Sequence, residues 1–267
     1  MKGQAVIKLD MRIVDKPWGR RGLDPRFGVA NDRQVGEIWF EPPAGRELDV
    51  MAKYLFTTER LSIQVHPDDA TARARGYPRG KDECWVVLDA DEDAELGIGT
   101  IRDFTSAEVI AAARDGSIVD LIDWRRPVRG EFIYNPAGTI HALGPGLTVL
   151  EIQQAVDLTY RLFDYGRPRE LHLDEAADVV EPRPHHHRLD TMVGERSLLL
   201  VAGPQFGVAW CVGEPPVMPQ GMRDIQLLPI DAPTAGVAAG ECALIDEHQA
   251  RRLRSDGRFV LAWSPER

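Results

Sequence analysis

Cysteine is scarce and scattered. Cys84, Cys211 and Cys242 are the three in 267 residues, odd in number and without CxxC spacing, which argues against a disulfide framework or a thiolate metal site and for a reducing, cytoplasmic home. Long apolar runs are missing as well: nothing approaches about 18 residues, so no membrane span is expected. The first ten residues are broken by Lys2, Lys8 and Asp10 before a signal-peptide core could form. Positive charge is in deficit, with 32 Lys+Arg against 42 Asp+Glu. That balance excludes a general nucleic-acid or anionic-membrane surface as a partner, so an anionic ligand must meet a local cluster of cations.

Helical periodicity is the next thing in short supply. A capping box, Thr105-Ser-Ala-Glu108, leads into an alanine-rich turn, and a second short helix is expected over 174–180. Elsewhere short β runs alternate with Gly, Pro and Asp: 51–57, 61–66, 84–88, 131–134, 148–153, 198–202 and 259–263. Many short strands separated by turns predict a mainly β chain, an antiparallel sandwich or jelly roll. The run Glu181-Pro-Arg-Pro-His-His-His-Arg188 lacks apolar periodicity and reads as a solvated linker with adventitious metal affinity. It sets the expected boundary between a motif-rich domain, 1–184, and a smaller β-rich, half-cupin-like domain, 185–267, in which His248 falls on a surface segment.

Chemistry-bearing residues collect in three places. Strand side chains two apart share a face, so Ser62, Gln64 and His66 project together, as do Lys81 and Glu83. His141 follows an apolar strand and the turn Pro136-Ala-Gly138, which re-aims it inward. Gln64, His66, Glu83 and His141 thus offer one amide oxygen, two imidazoles and a carboxylate, a set suited to zinc or a similar divalent ion, one per chain. Asp68 and Asp69 are expected to cap the turn after Pro67.

These segments resemble cupin motifs, and the variant with glutamine in the first motif resembles the type I phosphomannose isomerases, the zinc-dependent mannose-6-phosphate isomerases. The resemblance runs through Lys16-Pro-Trp-Gly19, Gly36-Glu-Ile-Trp39, Leu61-Ser-Ile-Gln-Val-His-Pro-Asp-Asp69, Gly80-Lys-Asp-Glu-Cys-Trp85, Gly138-Thr-Ile-His-Ala142, Leu150-Glu-Ile-Gln-Gln154, Thr159-Tyr-Arg-Leu-Phe-Asp-Tyr165 and Arg169-Glu-Leu-His-Leu-Asp174. It implies a cupin-type jelly-roll barrel carrying the metal site and reversible conversion of mannose 6-phosphate to fructose 6-phosphate through an enediol(ate). It places the family's metal ligands on the same four residues, its active-site arginine on Arg161, and its lysine and glutamate on Lys81 and Glu151. Glu151 is preferred as proton shuttle, with Lys81 as its partner or a phosphate contact. Ser62 is a candidate phosphate donor, Trp18 a candidate wall of the sugar pocket, and Glu37 a supporting group. Arg20-Arg21-Gly22, where the family often has a further glycine, the charged stretch 23–33 and the short chain depart from the family pattern. The altered region after Trp18 leaves open an isomerase of another sugar, phosphorylated or not; because fold does not fix function, a non-catalytic sugar-binding cupin is a further alternative, and an iron oxygenase ranks last. Oligomeric state is not specified by the sequence.

Overall fold

The computed structural model describes residues 6–266. The chain is mainly β, with antiparallel pairing and a few short helices, and it divides into two compact units. One comprises Leu55–Leu150 and Gln154–Asp190; the other comprises the described residues up to Tyr54, Glu151–Gln153 and those from Thr191 on. The strands Val50–Phe56 and Leu147–Gln154 carry the chain from one to the other.

In the first unit a five-stranded sheet runs in the order Tyr160–Phe163, Ile63–Val65, His141–Leu143, Leu96–Thr100, Ile122–Arg125. Alternation decides what each face does. Ile63, Val65, Ile140, Ala142, Tyr160 and Leu162 join Val109, Ile110, Ala112 and Ala113 of the helix Ser106–Asp115 in one core. The residues between them, Gln64, His141 and Arg161, therefore point to the opposite face. That helix starts at Thr105, whose hydroxyl accepts from Glu108 N–H while Glu108 caps Thr105 N–H, the expected capping box. The strands Glu83–Ala90 and Glu131–Asn135 form an antiparallel pair in the same unit.

The other unit holds a six-stranded sheet, ordered Ile7–Lys8, Ala243–Ile245, Arg223–Pro229, Arg258–Ser264, Gly207–Val212, Leu198–Ala202. It also contains the long pair Asp10–Arg20 and Val35–Glu41. Ala209, Cys211, Ile225, Leu227, Phe259, Leu261 and Trp263 build its core. All three cysteines are buried and unbridged. No helix is long and apolar enough to cross a membrane, among the described residues.

Three features differ from expectation. The second helix is shorter and shifted, Leu173–Ala177. The strand Asp10–Arg20 has Pro17 within it, a residue that reads as a breaker, and its register shifts between Asp15 and Arg20. The run Glu181–Arg188 is not a solvated linker: Glu181 N–H donates to Gly138 O at 2.8 Å, and Pro182 O and Arg183 O accept from Phe104 and Thr100 N–H at 2.9 and 3.0 Å. His185 pairs with Asp190 at 2.9 Å, and His187 stacks on Tyr134. Backbone pairing that apolar periodicity does not announce ties the run down. His248 lies in the short helix Glu247–Arg251.

Candidate metal centre

Two glycines let the chain build the site. Gly80 passes so close to Asp68 that a Cβ would lie 2.3 Å from its carbonyl carbon, and there Lys81 N–H reaches Pro67 O at 3.0 Å, bringing Lys81 and Glu83 alongside His66. Gly138, with φ 88°, turns the chain before His141, its N–H held by His66 O at 2.9 Å. Asp68 caps the helix Asp69–Ala74, accepting from Thr71 N–H, as expected.

His66, Glu83 and His141 are buried, at 2%, 1% and 1% exposure, with potential ligand atoms all within 4.8 Å of one another. His66 Nδ1 lies 3.0 Å from Leu158 O and His141 Nδ1 3.0 Å from Thr139 O. Since a carbonyl only accepts, each ring carries its proton on Nδ1 when neutral and turns the Nε2 lone pair inward. Both lone pairs meet Glu83: His141 Nε2 is 3.2 Å from Oε1 and His66 Nε2 is 3.4 Å from Oε2. Burial first, then the Lys81 ammonium, push the His66 pKa down to about 3, so that ring is neutral. Burial pushes the Glu83 carboxyl up, but the Lys81 ammonium beside it pulls the other way and the carboxyl lies well below the usual range. Lys81 Nζ stands 3.2 Å from both His66 Nε2 and Glu83 Oε2. Two inward lone pairs and an anion repel one another; the Lys81 ammonium offsets this at His66 Nε2 and Glu83 Oε2, and a cation bound among the three side chains would offset it at His141 Nε2 as well. The donor set therefore fits a divalent ion with borderline N/O preference.

Gln64 joins the cluster from the neighbouring strand. Arg161, Gln64, His141 and Ile98 lie opposite one another in a single row across the sheet. The Gln64 amide nitrogen is 3.2 Å from His141 Nε2, and its oxygen accepts from Ser62 Oγ at 3.1 Å. Amide ends are isosteric and a hydroxyl donates or accepts, so the Ser62 contact persists with Oε1 turned toward the cluster, whereas Oε1 and His141 Nε2 would then be two acceptors in need of a cation between them. Arg161 is held by the segment that follows its strand. Its Nη1 donates to Glu170 O at 2.8 Å, its main-chain N–H donates to His172 Nδ1 at 3.2 Å, and its Nε is buried without a hydrogen-bond partner. The buried Asp164 anchors that segment through Arg167 and Arg169.

Glu151, Trp18 and Glu37 belong to the other unit. Glu151 is buried and paired with Lys53 Nζ at 2.9 Å. Trp18 is buried beside Gly36, where a Cβ would approach its ring to 3.0 Å. Glu37 accepts from the Trp39 indole and lies 3.7 Å from Lys16 Nζ. Residue-by-residue reading missed Lys53, His172, Asp82 and Asn135. Asp82 accepts from Tyr134 Oη at 2.6 Å and Ala137 N–H at 2.9 Å, and Asn135 Nδ2 donates to Glu83 Oε1 at 2.8 Å. Only the register of strands distant in sequence reveals these contacts. For His172 the motif Arg169-Glu-Leu-His-Leu-Asp174 was a usable signal.

Fold and site together define a β-sheet protein with a buried His/Glu/His cluster able to hold a metal ion. No family model matches the chain. It is 36% identical over 169 residues to the mannose-6-phosphate isomerase of Streptococcus mutans, a match that takes in 60% of this chain and 53% of that protein. It is 34% identical over 218 residues to the Bacillus subtilis protein named "Putative mannose-6-phosphate isomerase YvyI", covering 66% of this chain and 68% of the other. The crystal structure of the Bacillus subtilis mannose 6-phosphate isomerase superposes with a TM-score of 0.76 at 25% identity, covering 97% of this chain and 99% of that one. The chain belongs to the mannose-6-phosphate isomerase family. Its match spans about half the length of the Streptococcus mutans relative.

Proposed function

We propose that the chain interconverts mannose 6-phosphate and fructose 6-phosphate, with zinc held by Gln64, His66, Glu83 and His141. The observation that carries the reading is the convergence of two inward imidazole lone pairs and a buried carboxylate within 4.8 Å of one another in a member of this family. A bound divalent ion supplies Lewis-acid polarisation of the sugar oxygens. The remaining work falls to side chains. A proton leaves C2 of the aldose and arrives at C1, so a base must take it and return it on the same side of an enediol(ate). Glu151 is assigned that transfer, with Lys81 as its partner or as a contact to the phosphate. Arg161, a permanently charged fork, offsets the negative charge that develops on the substrate oxygens. Ser62 orients Gln64 and donates to substrate, and Trp18 forms a wall of the sugar pocket.

The chemistry is assigned to 1–184, with 185–267 as a supporting β-rich portion. The partner is a small sugar phosphate, and the cytoplasm is the proposed compartment. Incubation of zinc-loaded protein with mannose 6-phosphate is expected to yield fructose 6-phosphate, with kcat/KM well above that for free mannose. Equal or better use of free mannose would move the reading to an unphosphorylated substrate. Sugar-phosphate binding by calorimetry without turnover would replace it with a non-catalytic sugar-binding role.

A further inference from the structure

Asn135 has no part in the chemistry above, yet the fold places it with care. It ends the strand Glu131–Asn135 directly opposite Glu83. The following Pro136 restricts Asn135 to extended backbone, and the turn beyond it is clamped where Ala137 N–H donates to Asp82 Oδ1 at 2.9 Å. The side chain is thereby delivered, 1% exposed, to Glu83 Oε1, to which Nδ2 donates at 2.8 Å. An ionised carboxylate only accepts, so chemistry and not assignment fixes which end of the amide faces it. Asn135 Oδ1 is left buried without a hydrogen-bond partner. Burying an acceptor without a partner is costly, and what the amide provides against that cost is its N–H bond to Glu83 Oε1.

We infer that Asn135 is a positioning residue for the metal: it fixes the rotation of the Glu83 carboxylate about its terminal torsion. A hydrogen bond on Oε1 sets the plane of the group, keeping Oε1 beside His141 Nε2 and turning Oε2 toward His66 Nε2 and its ion-pair partner Lys81 Nζ. The torsion it restrains is otherwise broad, and ligand carboxylates held by an outer hydrogen bond bind metal more tightly than free ones. The inference rests on the metal reading proposed above.

Its test uses Co2+ as the probe, with Asn135→Leu, which keeps the branched shape, and Asn135→Ala, which removes it. For the full-length protein and each variant, three things are measured: the Co2+ dissociation constant by chelator competition, the visible ligand-field spectrum, and the melting temperature of the metal-free protein. Both variants should bind Co2+ about 10- to 100-fold more weakly, with a changed spectrum. Asn135→Leu takes a donor from a buried carboxylate and should lower the melting temperature modestly while the protein stays folded. An unchanged dissociation constant and spectrum in a folded variant would overturn the inference, and loss of folding in both would replace it with a structural role. A parent protein that takes up no Co2+ would overturn the metal reading itself, a result distinguishable because it precedes any substitution.

Discussion

Each unit has a sheet with one glutamine in a cross-strand row, and the two glutamines are used in opposite ways. In the six-stranded sheet Gln226 stands in the row Leu244, Gln226, Ala262, Val208, Val201. It is buried among apolar neighbours and satisfied by the fold, its Nε2 donating to Val50 O at 2.8 Å. In the five-stranded sheet Gln64 stands in the row Arg161, Gln64, His141, Ile98. Its side chain meets Ser62 and His141, groups of the candidate site. Alternation along a strand is the same in both sheets, and what fills the face away from the core is not. Where the off-core face is apolar, a lone polar group is a structural tie. Where it gathers imidazoles, carboxylate and guanidinium with few partners in the fold, the polar groups are held for a ligand.

The largest break in this comparison should come from Glu83→Gln, which keeps the shape and removes the anion. Isomerase activity is expected to fall by roughly 10^3-fold or more, the equivalent of several kcal/mol of charge stabilisation, with metal content falling in parallel. Next comes Arg161→Ala, for which a fall in kcat of about 10^2- to 10^3-fold is expected while metal content stays at the parent level. Loss of metal from this variant would mean that Arg161 acts on the fold of the site and not on substrate.

The two glutamines give the sharper, smaller contrast. Gln226→Leu orphans Val50 O and should cost about 1–3 kcal/mol in urea unfolding with kcat unchanged. Gln64→Leu should weaken metal binding and activity and leave the metal-free protein as stable as the parent. Exchanged outcomes would erase the distinction between the two sheets. The smallest effect belongs to Asp231. Burial raises its pKa, but hydrogen bonds from Arg258, main chain and side chain, bring it below 3.8. A depressed carboxyl stabilises above its unfolded value and loses that contribution as pH falls. Asp231→Asn should therefore lower the urea midpoint at pH 7, and its difference from the parent should shrink as pH drops below 3.8. A difference that persists unchanged in acid would assign the effect to packing.

Much of the candidate site was legible because its signals are local. Period-two spacing places Ser62, Gln64 and His66 on one face and Ile63 and Val65 on the other, and Thr105 to Glu108 announces a helix start through its own capping chemistry. What stayed hidden depends on register. Asn135 and Glu83 are 52 residues apart in sequence, and nothing in either segment says which residue of one strand will oppose which of the other. Leu96–Thr100 was equally invisible, since Gly97 and Gly99 dilute its strand character; Gly97 is required because a Cβ would lie 2.7 Å from the Ile122 side chain. Pro17 concealed the longest strand in the same way. The run 181–188 read as solvent-exposed because it is anchored by backbone groups of Glu181, Pro182 and Arg183 and by pairing of His185 with Asp190 and His187 with Tyr134, none of which apolar periodicity announces.

The most direct measurement is to strip the purified protein with a chelator, restore it with one equivalent of Zn2+, and follow conversion of mannose 6-phosphate to fructose 6-phosphate at each step. The account predicts one tightly held divalent ion per chain, loss of turnover on stripping and recovery on restoration, with no recovery in Glu83→Gln. Turnover that survives complete removal of the metal, or a protein that retains no divalent ion, would contradict it.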